Sequence, residues 1–359
     1  MMRTDRIRRA AATAAVSFVV GMLAAPSSSQ ESPRDREAAG QQRKLDVDTG
    51  DLFAPPRRED RARLVQDDDQ YGVGNMFHRL HGSFVQNAFA YRPDIELSYH
   101  FQRETTVKSD PGDFDFQQFR GRVSVPFVLD PDHFLTIGGT AQERRYNFSS
   151  NAPVPGDEDL FRFNGEIGFG WFLDDDWLLQ ATFRPGVYSD TDGTLNHRDW
   201  QFFGDLLASW RIDEKVFFSF GATYDETFDN VRVYPVIGLT WHICDVLRFD
   251  MMLPKKAELS WIPSAEWIFS TGVSIEGDEY NLRAPGTKQQ YNARVQEIEG
   301  YVKAMLRVND NFALWGRVGT TLAGQYDWSL NQGVGTPSAD LNGALNAGAF
   351  FEAGIGLSF

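Results

Sequence analysis

From about Arg92 to the end of the chain, apolar residues alternate with polar or small ones at period two, the repeat of a β-strand. In Phe161–Trp171 one face is Phe161, Phe163, Gly165, Ile167, Phe169 and Trp171, and the other is Arg162, Asn164, Glu166, Gly168 and Gly170. Trp177–Tyr188, Val216–Asp225 and Val231–His242 repeat the pattern. These segments are about 10–13 residues long, the length of a tilted membrane-crossing strand; strands of water-soluble domains usually run ~5–6. The pattern predicts strands at 94–105, 113–128, 133–147, 159–173, 176–188, 199–212, 215–226, 230–243, 246–253, 256–262, 265–282, 293–309, 311–323 and 347–359. That is about 14, an even number, as bacterial barrels prefer. The alternative is about 12, if the pair 246–253 and 256–262, broken by Pro254 and Pro263, does not span.

The connections point the same way. Short ones (Asp130–His133, Leu173–Asp176, Asp213–Lys215, Cys244-Asp245, Pro263–Glu266, Asp310-Asn311) alternate with mostly longer ones (Thr106–Gly112, Phe148–Glu158, Ser189–Arg198, Arg283–Asn292, Gly324–Asn346). Thr227–Asn230 and Pro254-Lys255 are short exceptions on the long side. Short periplasmic turns opposite longer outer loops define the expected fold: all-β, a transmembrane antiparallel up-and-down β-barrel. Aromatic residues end the apolar faces at Trp171, Trp177, Trp210, Tyr224, Trp241 and Trp267, where membrane-interface girdles belong. The last segment alternates to a terminal Phe359. It resembles the closing strand of outer-membrane barrels, which the barrel-assembly machinery reads.

The N-terminal part divides differently. Met1–Arg9 is basic, Ala10–Ala25 is apolar and uncharged, and Leu23-Ala24-Ala25 resembles a cleavage site. Residues 1–25 are therefore expected to be a secretory signal peptide. Residues 26–70, poor in large apolar side chains, are expected to be a disordered periplasmic arm. The segment 71–91 is open between a plug, a short helix and an extra strand. The barrel occupies 92–359.

Val246–Arg283 carries a further resemblance. Leu253-Pro254 is followed by Ala257-Glu258-Leu259-Ser260-Trp261-Ile262-Pro263, a turn, and Gly272–Arg283 with Gly277 and Tyr280. This stretch is similar to an uncharacterised family of bacterial outer-membrane barrels known only as a domain of unknown function. The resemblance covers roughly 90–359. It implies the fold and the bacterial cell outer membrane, and transfers no activity.

Composition narrows the function. Aromatics make up 14% of the chain, with 29 Phe and 32 Gly, which suits barrels better than helical domains. The net charge is −15, and the signal segment contributes +3 of opposite sign. A chain this acidic is a poor partner for nucleic acid. The expected partners are outer-membrane lipids and lipopolysaccharide, with the assembly machinery; the oligomeric state is open. The single cysteine, Cys244, rules out an intrachain disulfide framework.

If the alternation holds, the lumen is lined by Arg120, Arg122, Arg144, Arg162, Glu166, Arg184, Asp205, Arg232, Arg248, Glu276, Glu299, Lys303, Arg307, Arg317 and Glu352. Cations exceed carboxylates, and an open lumen would favour small anionic solutes. The alternative is a closed structural barrel whose charges pair across the interior. A hydrophobic-solute transporter and an outer-membrane lipid hydrolase are lesser alternatives. For the latter the nearest candidate is His81-Gly82-Ser83, while His100 and His242 are read as ordinary inward polar residues. Asp67–Asp69 and Asp174–Asp176 lack the spacing of a calcium loop, and no zinc spacing or phosphate-cradling glycine loop is present. No catalytic residue, metal or cofactor is expected.

Overall fold

The computed structural model describes residues 94–106, 113–130, 132–148, 158–190, 195–213, 215–225, 227–228, 232–264, 266–283, 290–309, 311–330, 341–344 and 347–358. The expected signal peptide, arm and 71–91 segment lie outside the described residues, as do His81, Ser83, Asp67–Asp69 and Phe359.

Among the described residues every element is a strand. They are β1 (Asp94–Thr106), β2 (Asp113–Val128), β3 (His133–Phe148), β4 (Glu158–Phe172), β5 (Trp177–Asp190), β6 (Trp200–Arg211), β7 (Val216–Tyr224), β8 (Val233–Cys244), β9 (Leu247–Leu253), β10 (Lys256–Trp261), β11 (Trp267–Arg283), β12 (Gln290–Asn309), β13 (Phe312–Leu330), β14 (Leu341–Ala344) and β15 (Ala349–Ser358). Neighbours in sequence pair antiparallel from β1 to β13, β13 pairs β15, and β15 returns to β1. The seam runs from Asp94 opposite Ser358 to Gln102 opposite Phe350. All strands but β14 form this ring, so the barrel is closed by 14 antiparallel strands. The short β9–β10 pair belongs to the wall, which settles the count at the higher expected number. β14 adds only to the far end of β13, from Gln325 opposite Ala344 to Trp328 opposite Leu341; the alternation gave no strand there.

Three of the short turns share one device. The Asp130 carboxylate accepts from the amides of Asp132 and His133 at 2.8 and 2.9 Å. Asp174 does the same for Asp176 and Trp177 at 2.8 Å each, and Asp213 for Lys215 and Val216 at 2.7 and 2.8 Å. A side chain that satisfies two amides left over at the strand end fixes a tight reversal. The expected aspartate turn at Asp174–Asp176 is thus a folding feature: Asp174 caps it and Asp176 pairs with Arg211 at 3.0 Å.

Polarity across the wall is inverted relative to a water-soluble domain. Gln102, Thr136 and Ser124 point inward at 0% exposure, whereas outward Leu206 is 66% and Phe163 54% exposed. A continuous outer band of such side chains suits hydrocarbon, not water. Near the short-turn rim the outward aromatics stack: Trp177 on Trp210 at 5.8 Å, Trp267 on Phe269 at 5.5 Å, and His133 on Trp171 at 5.7 Å. Trp241 lies outward near the same rim, and Tyr224 lies outward at the opposite one.

Inter-strand contact sets one stability test. A Cβ on Gly221 would lie 1.9 Å from the Leu206 carbonyl oxygen, which is backbone and cannot yield; on Gly356 it would meet nothing within 4 Å. Gly221→Val is expected to destabilise the barrel by about 3 kcal/mol or more, and Gly356→Ala to be close to neutral. The temperature at which the compact, fast-migrating gel band disappears measures both. Equal behaviour of the two variants would contradict the β6–β7 register.

Candidate functional site: the lumen and its inward hairpin

The wall is low at β9 and β10, which span only Leu247–Leu253 and Lys256–Trp261. The last bond that β11 makes on that side joins the Ile275 amide to the Lys255 carbonyl at 2.7 Å. Beyond it, β11 keeps its pairing with β12 up to Arg283 opposite Gln290. The outer half of this hairpin leaves the wall and crosses the lumen. Asn281 forms a parallel bridge with Ser189 of β5, which stands across the ring.

Both faces of the crossing segment are buried. On one face Asp278 meets Arg144 of β3 at 3.3 Å and Arg162 of β4 at 2.6 Å, and Gln142 donates to it at 3.2 Å. Tyr280 and Leu282 enter an apolar cluster with Phe114, Phe116, Tyr146, Leu160, Tyr188 and Phe203 of the opposite wall. On the other face Glu279 pairs with Arg232 beside β8 at 2.9 Å and with Arg294 of β12 at 2.8 Å. Asn281 donates to Asp199 at 2.6 Å, and Gln201 of β6 donates to the Glu279 carbonyl at 2.9 Å. Gly277 packs so closely that a Cβ there would sit 2.8 Å from the Thr227 carbonyl oxygen.

The region was expected to be two wall strands, 265–282 and 293–309, joined by an outer loop. Instead both strands run further, to Arg283 and from Gln290, and their outer ends fill the lumen. The physical reason lies in β10. Once that strand ends, the free edge of β11 has no wall neighbour, and in a membrane its amides and carbonyls need partners elsewhere. The segment 71–91 was named as a plug candidate; among the described residues it is this hairpin that crosses the lumen.

The expected lumen residues lie on the inward face, and most are paired. Arg122 meets Glu166 at 3.5 Å. Arg184 meets Asp205 at 2.7 Å, with Thr223 also donating to that carboxylate at 2.7 Å. Arg248 meets Asp250 at 2.6 Å, and Thr240 donates to Asp250 at 3.1 Å. Glu258, also of inward parity, accepts from Tyr301 at 2.7 Å and meets Lys256 at 3.4 Å. Lys303 lies over the Trp315 ring at 4.9 Å. Arg307 is exposed near the short-turn rim. Among the described residues Arg120 and Lys303 make no ion pair.

Arg317 is the hub of a second cluster. It bonds Glu352, reaches Glu299 at 3.1 Å and Glu276 at 3.7 Å, and lies over the rings of Tyr301 and Phe350 at 5.3 Å each. His100 sits between the Phe116 and Phe350 rings, stacked at 5.0 and 5.1 Å, and reaches Glu352 at 3.8 Å. His242 lies edge-on to Phe217 at 6.5 Å.

The family model "Domain of unknown function (DUF6268)" matches residues 134–357. No curated protein matches. Among solved structures, the COG4313 outer membrane channel from Pseudomonas putida F1 is similar at 12% identity and a TM-score of 0.43, covering 78% of this chain and 98% of that one. The TodX monoaromatic hydrocarbon channel, as a deltaS2 mutant, is similar at 9% identity and a TM-score of 0.36, covering 80% and 93%. Outer membrane phospholipase A from Escherichia coli is similar at 9% identity and a TM-score of 0.32, covering 76% and 94%.

Removing one member of a buried ionic cluster strands the others. Arg317→Met is therefore expected to cost about 3–5 kcal/mol, seen as a lower temperature for loss of the compact gel band. Adding Glu299→Gln and Glu352→Gln should recover more than half of that loss. A single variant as stable as the wild type would show that these carboxylates do not depend on Arg317.

Proposed function

We propose that this chain, which belongs to the DUF6268 family, is a bacterial outer-membrane channel for small polar solutes, narrowed on its outer side by its own β11–β12 hairpin. The observation that carries this reading is the closed ring with inverted polarity: apolar side chains outward, hydrogen-bonding and charged ones inward. A barrel of about 8 strands can be filled by side chains alone, whereas 16–18 strands leave an aqueous channel. With 14 strands there is interior space, and part of it here is taken by a polypeptide hairpin rather than by side chains.

The excess of arginine supports only a mild preference for anions. A guanidinium held by a carboxylate presents little net charge to a passing ion, and Arg122, Arg144, Arg162, Arg184, Arg232, Arg248 and Arg317 are all so held. Arg120 and Lys303 supply the remaining bias.

The hairpin also favours a second reading, a closed structural barrel. Its two faces are tied to opposite walls, which is the arrangement a sealed lumen needs. The hydrolase reading rested on His81 and Ser83, which lie outside the described residues.

Planar-bilayer recording separates the two leading readings. The purified protein is expected to give stepwise currents with mild anion preference. Replacing residues 278–295 by an Asn-Gly turn, which keeps Gly277 opposite Gln296 and suits a tight hairpin, should raise the unitary current severalfold. Silence of both correctly folded proteins would establish the closed barrel.

A further inference from the structure

One carboxylate of the inward hairpin occupies what is otherwise a complete anion site. Asp278 accepts from Arg162 at 2.6 Å, from Gln142 at 3.2 Å and from Tyr280 at 3.3 Å, and lies 3.3 Å from Arg144. The two guanidinium groups are also held by the wall, independently of Asp278. Arg144 donates to Gln118 at 2.8 Å and to the Tyr146 hydroxyl at 3.2 Å, and lies over the Phe116 ring at 5.1 Å. Arg162 donates to Asn164 at 3.1 Å and lies over the Tyr188 ring at 5.0 Å. Planar guanidinium groups preset in this way are the usual receptor for a carboxylate. Apart from Tyr280, every receptor group comes from β2, β3, β4 or β5; Asp278, the occupant, comes from the other side of the barrel.

The surroundings define what else would fit. Next to the arginines is the aromatic cluster of Phe114, Phe116, Tyr146, Tyr188 and Phe203, into which the hairpin inserts the Tyr280 ring. A carboxylate with an aromatic ring close behind it is thus what the hairpin itself presents. Arg120 adds positive potential at this point, and buried Glu297 offsets part of it.

We propose that the Arg144–Arg162 pair is a binding site for aromatic carboxylic acids, and that Asp278 and Tyr280 occupy it as a tethered surrogate which such an acid displaces. The proposal rests on the channel reading for its biological sense, because it names the solute class and ties entry of that solute to release of the hairpin. A tethered group competes at a high effective concentration. Acetate, which offers only the charge, is then a weak competitor, and benzoate gains from burying its ring where Tyr280 lay. On the far face the Glu279 contact to Arg232 is a weaker restraint, since the Arg232 side chain is 42% exposed and exposed pairs contribute little. Displacing Asp278 therefore removes the stronger of the two ionic ties.

Ligand-observed NMR titration of the full-length protein in detergent tests this without any current measurement. The wild type is expected to bind benzoate measurably more tightly than benzyl alcohol or acetate. Asp278→Asn, which removes the tethered competitor, should bind benzoate about tenfold more tightly than the wild type. Arg162→Gln should bind benzoate no better than benzyl alcohol. The compact gel band verifies folding of each variant; should Asp278→Asn not fold, the comparison of wild type with Arg162→Gln decides. Equal benzoate affinity in the wild type and Arg162→Gln overturns the proposal, as does a folded Asp278→Asn that binds no more tightly. If binding follows the expected order but bilayers stay silent, the site stands and the channel reading falls. If currents appear but benzoate binding ignores these residues, the reverse holds.

Discussion

Everything in this structure depends on satisfying the backbone within one closed ring. A strand in hydrocarbon has no water to bond, so each unpaired amide or carbonyl costs several kcal/mol. The ladder from Asp94–Ser358 to Gln102–Phe350 removes the two edges that an open sheet would leave. Once the ring is closed, side chains are free to sort by pleat alone. Outward positions take Phe, Leu, Ile and Val, and inward positions take Gln, Ser, Thr, Arg and Glu. The aspartate turns at Asp130, Asp174 and Asp213 extend the same rule to the rim, where a carboxylate takes the amides that the ladder does not reach.

Closure also explains why so many charges are tolerated inside. Each inward side chain of one strand has inward neighbours on the two flanking strands, at the spacing of a cross-strand pair. Arg184 finds Asp205 on β6 and Arg317 finds Glu352 on β15 by this register alone. Such pairs gain little net energy, but they make the loss of one partner expensive. The interior is therefore stiff in its charge pattern even where it is wet.

Most of the wall was legible in the sequence, because period two is the direct consequence of a pleat with different solvents on its two sides. The strand boundaries follow from it closely, while the inclusion of the Pro-broken β9–β10 pair stayed open between about 12 and 14 strands. The hairpin crossing was not read, since a strand keeps period two whether it lies in the wall or in the lumen. A local signal was nonetheless present. From Glu276 to Asn281 neither parity is apolar: Glu276, Asp278 and Tyr280 alternate with Gly277, Glu279 and Asn281. On β12 the outward parity at Asn292, Arg294 and Gln296 is polar as well. A segment with no lipid-facing side does not face lipid. Most partners of those residues were beyond reach, because they come from strands distant in sequence, as in Gln142 with Asp278 and Asp199 with Asn281.

The position of the crossing follows from the shortest part of the wall. β9 and β10 end at Leu253 and Lys256, so above that level β8 and β11 have no common neighbours. Two outcomes are physically open to β11: to end there with β10, or to continue and find new partners. It continues, because β12 stays paired to it up to Gln290 and supplies one full edge. The other edge must then turn to a surface that offers donors and acceptors, and the polar lumen is the one available within a lipid-surrounded ring. Gly277, where the backbone touches Thr227 too closely for any Cβ, marks the point at which the strand leaves the wall. The short β9–β10 wall and the inward hairpin are thus one structural decision, and the arginine site that receives Asp278 lies where that decision brings a carboxylate to the far wall.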